Sequence, residues 1–150
     1  MSGLTQPGPR PSSNDAGSAM VEFVLLVGPL MIPLVLLIVA LFETQRTAFA
    51  AVEGARQAGR AYVTASGMDD AEARALYAAN LAFVDQGLPP LRPDKMTIAA
   101  PRVFCRGATV TVTLEGTASL PMLPKRLASF AVTASHTENI DQFQNLPSCD

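Results

Sequence analysis

Twenty consecutive residues without a charge, Phe23 to Phe42 (FVLLVGPLMIPLVLLIVALF), lie between Glu22 and Glu43 and limit what this chain can fold into. As a helix the run is roughly 30 Å long, the hydrocarbon thickness of a bilayer. A helix buried in a soluble core is seldom apolar on every face for that distance, so the run is predicted to span a membrane. Gly28, Pro29 and Pro33 interrupt it. In a water-soluble helix an interior proline costs about 3 kcal/mol, because it removes a backbone donor and clashes with the preceding turn. Membrane helices tolerate such residues where neighbouring helices or backbone adjustments satisfy the freed carbonyls, which points to a span packed against other helices.

Glu22 stands at the lip of the run. A carboxylate costs about 2.5 to 3.5 kcal/mol at the bilayer centre and less near its edge, so this one needs a headgroup position or a partner. Plain interfacial placement is the simplest reading of Glu22 alone. Its context is Gly17, five residues upstream, at the junction with residues 1–16 (MSGLTQPGPRPSSNDA). That leader is rich in Pro, Ser and Gly, lacks apolar periodicity and is expected to be disordered.

A polar leader ending in Gly17, four further residues, then Glu22-Phe23 and an apolar helix resembles the processing site of type IV prepilin-like proteins. Within that class the pattern resembles the tight-adherence (Tad/Flp) branch and its TadE/TadF-like minor pseudopilins. The resemblance implies cleavage by a membrane prepilin peptidase between Gly17 and Ser18, leaving Ser18 as the mature amino terminus. It also implies that Glu22 pairs with the amino terminus of a neighbouring subunit during assembly of a pilus. Such a pairing is physically reasonable, since opposite charges in a low-dielectric setting relieve each other's desolvation cost. The segment Glu53 to Ala61 (EGARQAGRA) and the Leu-Pro element at Leu120 to Pro124 are similar to the same family. A chain of 150 residues is far longer than a major Flp pilin, so the resemblance implies a minor subunit.

Hydrophobic residues make up 49% of the chain and mean hydropathy is +0.25, an excess concentrated in the run, so one small domain is expected beside it. Net charge is -2 and the cations are scattered, which gives no footing for nucleic acid. Cys105 and Cys149 fall in the part assigned outside the cytoplasmic membrane, where a disulfide persists. Such a bridge would close about 45 residues and stabilise by roughly 4 kcal/mol. Two unpaired thiols are the other reading. Sidedness does not follow from charge: Arg10 and Asp15 precede the run, while Arg46, Arg56 and Arg60 follow it. A cytoplasmic amino terminus and an extracytoplasmic carboxy-terminal domain at a bacterial cytoplasmic membrane are what the resemblance implies.

The helix is predicted to continue from Glu43 to about Ala65, with Ala48, Val52, Ala55, Gly59 and Tyr62 as a stripe of mostly small side chains. That stripe suits either another helix or the protein's own domain. Ser66 to Asp69 breaks the helix, and Asp69 or Asp70 is expected to cap a second one reaching about Val84. Ala73, Leu76, Tyr77, Leu81 and Val84 form its apolar face in this reading. Asp85-Gln86-Gly87 ends it, and Leu88 to Pro93 is a stiff connector.

The period then changes to two. Met96 to Cys105 and Ala108 to Glu115 are predicted to form a hairpin about Arg106-Gly107, with Val110, Val112 and Leu114 on one face and Thr109, Thr111 and Thr113 on the other. Leu120 to Pro124 is a loop or edge segment, because each proline lacks a donor. A third strand is expected from Ser129 to about Thr137, and the tail beyond Asn139 is polar.

The chain offers little for catalysis. His136, with Glu138 two residues on, is the single histidine, so no metal site of several imidazoles forms. Phosphate-binding glycine loops and a Gly-x-Ser-x-Gly elbow are missing from the sequence. Asp69, Asp70 and Glu72 are most simply a helix start complementing the macrodipole. The expectation is a non-enzyme without cofactor, metal, nucleic-acid or small-molecule partner. Its fold class is α+β: an N-terminal transmembrane helix continuing into a stalk, then a small domain with a second helix and an antiparallel sheet. The expected divisions are 1–17 (leader), 18–42 (processing motif and span), 43–87 (helical stalk and second helix) and 88–150 (connector and β-rich domain). Its partners are the membrane, the prepilin peptidase and other pilin-like subunits. The competing reading is a membrane-anchored or secreted extracellular binding module. Ala48-Phe49-Ala50 formally fits a signal-peptidase motif, and cleavage there would leave Ala51 first.

Overall fold

In the computed structural model, residues 14–120, 128–141 and 147–148 are described. The order of elements is α1 (Asn14–Val63), α2 (Met68–Asp85), a single 3-10 turn (Pro93–Lys95), β1 (Met96–Ala99), β2 (Thr109–Ser119) and β3 (Ser129–Asn139). The chain divides into two compact units, residues 1–38 and 39–150. An α+β architecture with one long apolar helix, a second helix and a three-stranded antiparallel sheet is therefore present, as expected.

In the first unit α1 is already helical at Asn14, so the expectation of a disordered leader is wrong for residues 14–16, and residues 1–13 lie outside the described part. Pro29 and Pro33 sit inside the helix without ending it.

The second unit is two helices on one face of the sheet, ordered β1-β2-β3. Alternation along β2 turns Val110, Val112, Leu114, Gly116 and Ala118 inward, and Thr109, Thr111 and Thr113 to the other face. Fully burying a side chain such as Leu114 stabilises by about 1.5 to 3 kcal/mol. β3 pairs with the whole of β2, from Thr109 opposite Asn139 to Ser119 opposite Ser129. β1 pairs only with Thr111 to Leu114. The first strand is thus shorter than predicted, ending at Ala99 rather than Cys105. Pro101 has no amide hydrogen to continue the ladder, and the chain instead turns inward to bury Phe104 and Cys105. β2 and β3 run further than predicted, to Ser119 and Asn139.

The helices meet the sheet, and each other, through small residues. α1 buries Thr47, Ala50, Ala51, Ala55, Ala58, Tyr62 and Val63. Of the predicted stripe, Ala55, Gly59 and Tyr62 are buried, Ala48 is half-buried, and Val52 is exposed, because the buried face is rotated toward Ala51 and Ala58. This stretch packs on the protein's own domain: a Cβ at Gly54 would meet Leu114 Cδ1 at 2.9 Å and the Ala79 carbonyl oxygen at 3.6 Å.

The predicted face of α2 is also corrected. Ala71, Ala75, Ala79, Ala82 and Phe83 are buried, whereas Leu76 is half-buried and Ala73, Tyr77, Leu81 and Val84 are exposed. Close approach of α1 leaves room for alanine and not for the larger residues. The N-cap of this helix is Gly67, without a side-chain hydrogen bond, so the cap position falls before both aspartates. Asp70 instead forms an ion pair with Arg74 at 3.5 Å.

The end of α2 follows the sequence. Gly87 has φ +68, a left-handed conformation that favours glycine. The Leu88 amide donates to the Phe83 carbonyl at 2.9 Å and the Gly87 amide to the Val84 carbonyl at 2.8 Å. This is the Schellman pattern, with buried Leu88 beside buried Phe83.

Candidate processing and assembly segment

The residues singled out by sequence for processing, Gly17, Ser18, Glu22 and Phe23, all lie in α1. Helical spacing places Ser18, Glu22, Leu25 and Leu26 on one side, around a shallow open hollow that Val21 also lines. Glu22 and Phe23 are exposed, as are Met20, Val21, Val24 and Leu25. Glu22 is the sole ionisable residue between Gly17 and Glu43. No hydrogen bond or ion pair to it forms among the described residues.

Among the described residues nothing buries the most apolar window of this helix, whose mean hydropathy is 2.9, so the helix is long and apolar enough to cross a membrane. Proline at 29 and 33 leaves the carbonyls one turn earlier, at Leu25 and Pro29, without their usual helical donors. The first charges beyond the run are Glu43 and Arg46, which form an ion pair at 2.8 Å.

The second site predicted from sequence is the cysteine pair. Cys105 is buried and disulfide-bonded. Cys149 lies outside the described residues, but Pro147 and Ser148 just before it are described. The Arg106 amide donates to the Pro147 carbonyl at 2.9 Å, and Arg106 and Ser148 form a parallel bridge. The carboxy-terminal tail is thus brought to the residue that follows Cys105. Gly107, with φ +78, donates to the Ile140 carbonyl at 3.0 Å and completes the turn.

His136 and Glu138 stand together on the helix-facing side of β3, with Nε2 3.0 Å from Oε1. Gly59 of α1 lies against both. Lys95 and Glu115 form an ion pair at the rim of a cavity of about 250 Å³ lined by Phe83, Leu88 and Leu91. Among the described residues no three His, Cys, Asp or Glu side chains gather to hold a metal ion. Tyr62 is buried against Phe104, with ring centroids 6.1 Å apart. Burial, and secondarily the charge of Glu72, raises the Tyr62 hydroxyl above its ordinary pKa.

Sequence reasoning passed over Thr47 and Gly116, which touch where α1 crosses β2. The signal was a lone glycine inside an alternating strand, which marks a close approach by another element. No family model, curated protein or solved structure matches this chain.

Proposed function

We propose that this chain is a minor pilin-like subunit of a Tad/Flp-type pilus, trimmed between Gly17 and Ser18 and anchored by α1. One observation carries the reading: a lone carboxylate, Glu22, stands five residues after Gly17 on an otherwise uncharged helix surface that none of the described residues buries. In lipid such a group needs a cation, and a newly freed amino terminus on a neighbouring subunit is one. The polar leader, the Gly-x-x-x-x-Glu-Phe spacing and the interrupted apolar helix support the same reading by resemblance. Prolines in the span favour company from other helices, as in a subunit assembly. The subunit's role is structural, with its domain held outside the cytoplasmic membrane and its partners being other pilin-like subunits.

Mass spectrometry of the amino terminus, on protein recovered from membranes of cells with and without the prepilin peptidase, tests this. The expected result is a start at Ser18 that depends on the peptidase. A start at Met1 or Ser2 in both strains overturns it in favour of an anchored binding module, and a start at Ala51 in favour of a secreted one.

A further inference from the structure

The two edges of β2 are used unequally. β3 pairs with β2 along its whole length, whereas β1 reaches only from Thr111 to Leu114. Just beyond each end of the β2–β3 ladder, the Ile140 amide donates to the Ala108 carbonyl at 2.8 Å and the Leu120 amide to the Ala128 carbonyl at 2.6 Å. In the unbroken register of the two strands, both are directly opposed pairs. Opposed antiparallel residues alternate between pairs that exchange hydrogen bonds and pairs that do not. The even-numbered residues of β2 therefore bond to β3, and the odd-numbered ones turn their N–H and C=O groups the other way. Thr111 and Thr113 direct theirs to β1. Thr117 and Ser119 lie past the reach of β1, and among the described residues no backbone group on that side bonds to them.

A cavity opens onto this free stretch. Beyond Leu114 the line of β1 gives way to the 3-10 turn Pro93–Lys95 and the connector before it, which enclose the space of about 250 Å³ noted above. Gly116 and Thr117 line it from β2, and Phe83, Leu88 and Leu91 form its apolar wall. Gly116 contributes no side chain to fill it, and Phe83 closes over that glycine, 3.3 Å from where a Cβ would stand. Small-molecule pockets are larger, about 300 to 1,000 Å³, so the volume suits one large apolar side chain. Sheet edges that are to stay free are blunted by charge, proline or bulges. Gly116 to Ser119 has neither charge nor proline, and its register with β3 has no bulge.

We propose that this notch takes an extended segment of another polypeptide, added to β2 antiparallel and in line with β1. The segment's backbone exchanges hydrogen bonds with Thr117 and Ser119, and its side chain opposite Gly116 enters the cavity between Phe83, Leu88 and Leu91. Unpaired N–H and C=O groups on alternate residues are met by another strand, while the cavity selects among strands by side chain. Opposed residues share a face of the sheet, so those opposite Thr117 and Ser119 lie on the outer, threonine-bearing face. The fitting partner is an uncharged segment of alternating apolar and hydroxyl residues, with a large apolar residue at its carboxy-terminal end, next to Lys95. This site belongs to the second unit alone, and it depends neither on the span nor on cleavage at Gly17.

The probe is the capped peptide acetyl-Val-Thr-Val-Thr-Leu-amide, added to the full chain in detergent micelles, with hydrogen exchange read amide by amide. At ten times its dissociation constant the peptide is expected to slow exchange at the Thr117 and Ser119 amides about tenfold. The same peptide N-methylated at its second threonine, which removes the donor facing Thr117, should leave both amides unchanged. So should the peptide with aspartate in place of leucine. Thr117→Pro removes a donor that the β2–β3 ladder does not use, so this variant should lose the peptide while Val110, Val112 and Leu114 keep their protection. If Thr117→Pro disturbs the sheet, the N-methylated peptide on the parent protein decides. No slowing at millimolar peptide overturns the proposal. So does slow exchange at Thr117 and Ser119 in the protein alone, which would mean that the chain already covers this edge. Equal binding of the N-methylated peptide overturns strand addition, since the cavity would then hold a side chain without it.

Discussion

Replacing Gly116 by alanine adds one methyl group where α1 crosses β2, and the structure gives it no room. The new Cβ would lie 2.8 Å from Thr47 Cγ2 and 3.3 and 3.4 Å from the Cε1 and Cζ atoms of Phe83. Thr47 is held twice over: it is fully buried, and its hydroxyl donates to the Glu43 carbonyl at 2.8 Å. Its β-branched side chain has little rotameric freedom in a helix. Phe83 is buried in the same core. Overpacking of this kind costs about 1 to 3 kcal/mol. Removing a glycine returns about 0.5 to 1 kcal/mol by restricting the unfolded chain. A net loss of about 1 kcal/mol is expected, equivalent to about 4 to 8 °C in Tm for a unit of this size. Thr47→Ser removes the clashing methyl and keeps the hydroxyl, so the double variant should recover most of the loss, with a coupling of about 1 kcal/mol. Urea unfolding of the full chain in detergent micelles, read by hydrogen-exchange protection of β2 amides, measures all four corners of the cycle. A Gly116→Ala protein as stable as the parent, or a strictly additive cycle, would refute the close approach of α1 to β2.

Three other perturbations test separate parts of the molecule. Because the folded state raises the Tyr62 pKa, it keeps a proton that the unfolded chain loses near pH 10. Stability from this group is therefore complete below about pH 10 and falls above it. Tyr62→Phe should flatten the alkaline arm of the stability profile, and exposed Tyr77→Phe should leave it in place; identical profiles would count against burial of Tyr62. Cys105→Ser, or reduction of the parent, should lower stability by about 2 to 5 kcal/mol, with reductant having no further effect on the variant. A parent unfolding midpoint that ignores reductant would contradict it. Glu22→Ala should still insert in membranes, since it removes a charge, yet fail to enter assemblies with partner subunits; normal pilus formation by this variant would remove the charge-pairing role.

The strand segment was legible where the amino acids made one choice consistent with both local and tertiary demands. Val110, Val112 and Leu114 alternate with threonines, and burial follows that alternation residue by residue. Gly87 marked the end of α2 because a left-handed residue is what closes a Schellman turn. The first strand was overextended because Ile98, Val103 and Phe104 keep an apolar rhythm past its end. Pro101 breaks the ladder between them, and Phe104 serves the core from a loop instead. For the processing segment, sequence supplied the spacing of Gly17 and Glu22, and the structure adds that both lie on α1, with Glu22 and Phe23 exposed.

The orientation of α2 was hidden for a reason that reaches further than one helix. Large apolar residues at Tyr77, Leu81 and Val84 carry most of the helix's hydrophobic signal, and the alanines at 71, 75, 79 and 82 carry little. Weighting by hydrophobicity therefore selects the wrong side. What decides the matter is distance. Gly54 lets the backbone of α1 come close enough for a Cβ there to meet the Ala79 carbonyl oxygen, and at that separation a leucine between the helices would overpack. The bulk of the core comes instead from the sheet, through Val110, Val112 and Leu114, and from Phe83 at the end of α2. Alanines spaced by three and four residues on both helices, joined on α1 by Gly54, were the legible sign of this contact, because small residues recurring on one face matter only where something comes near.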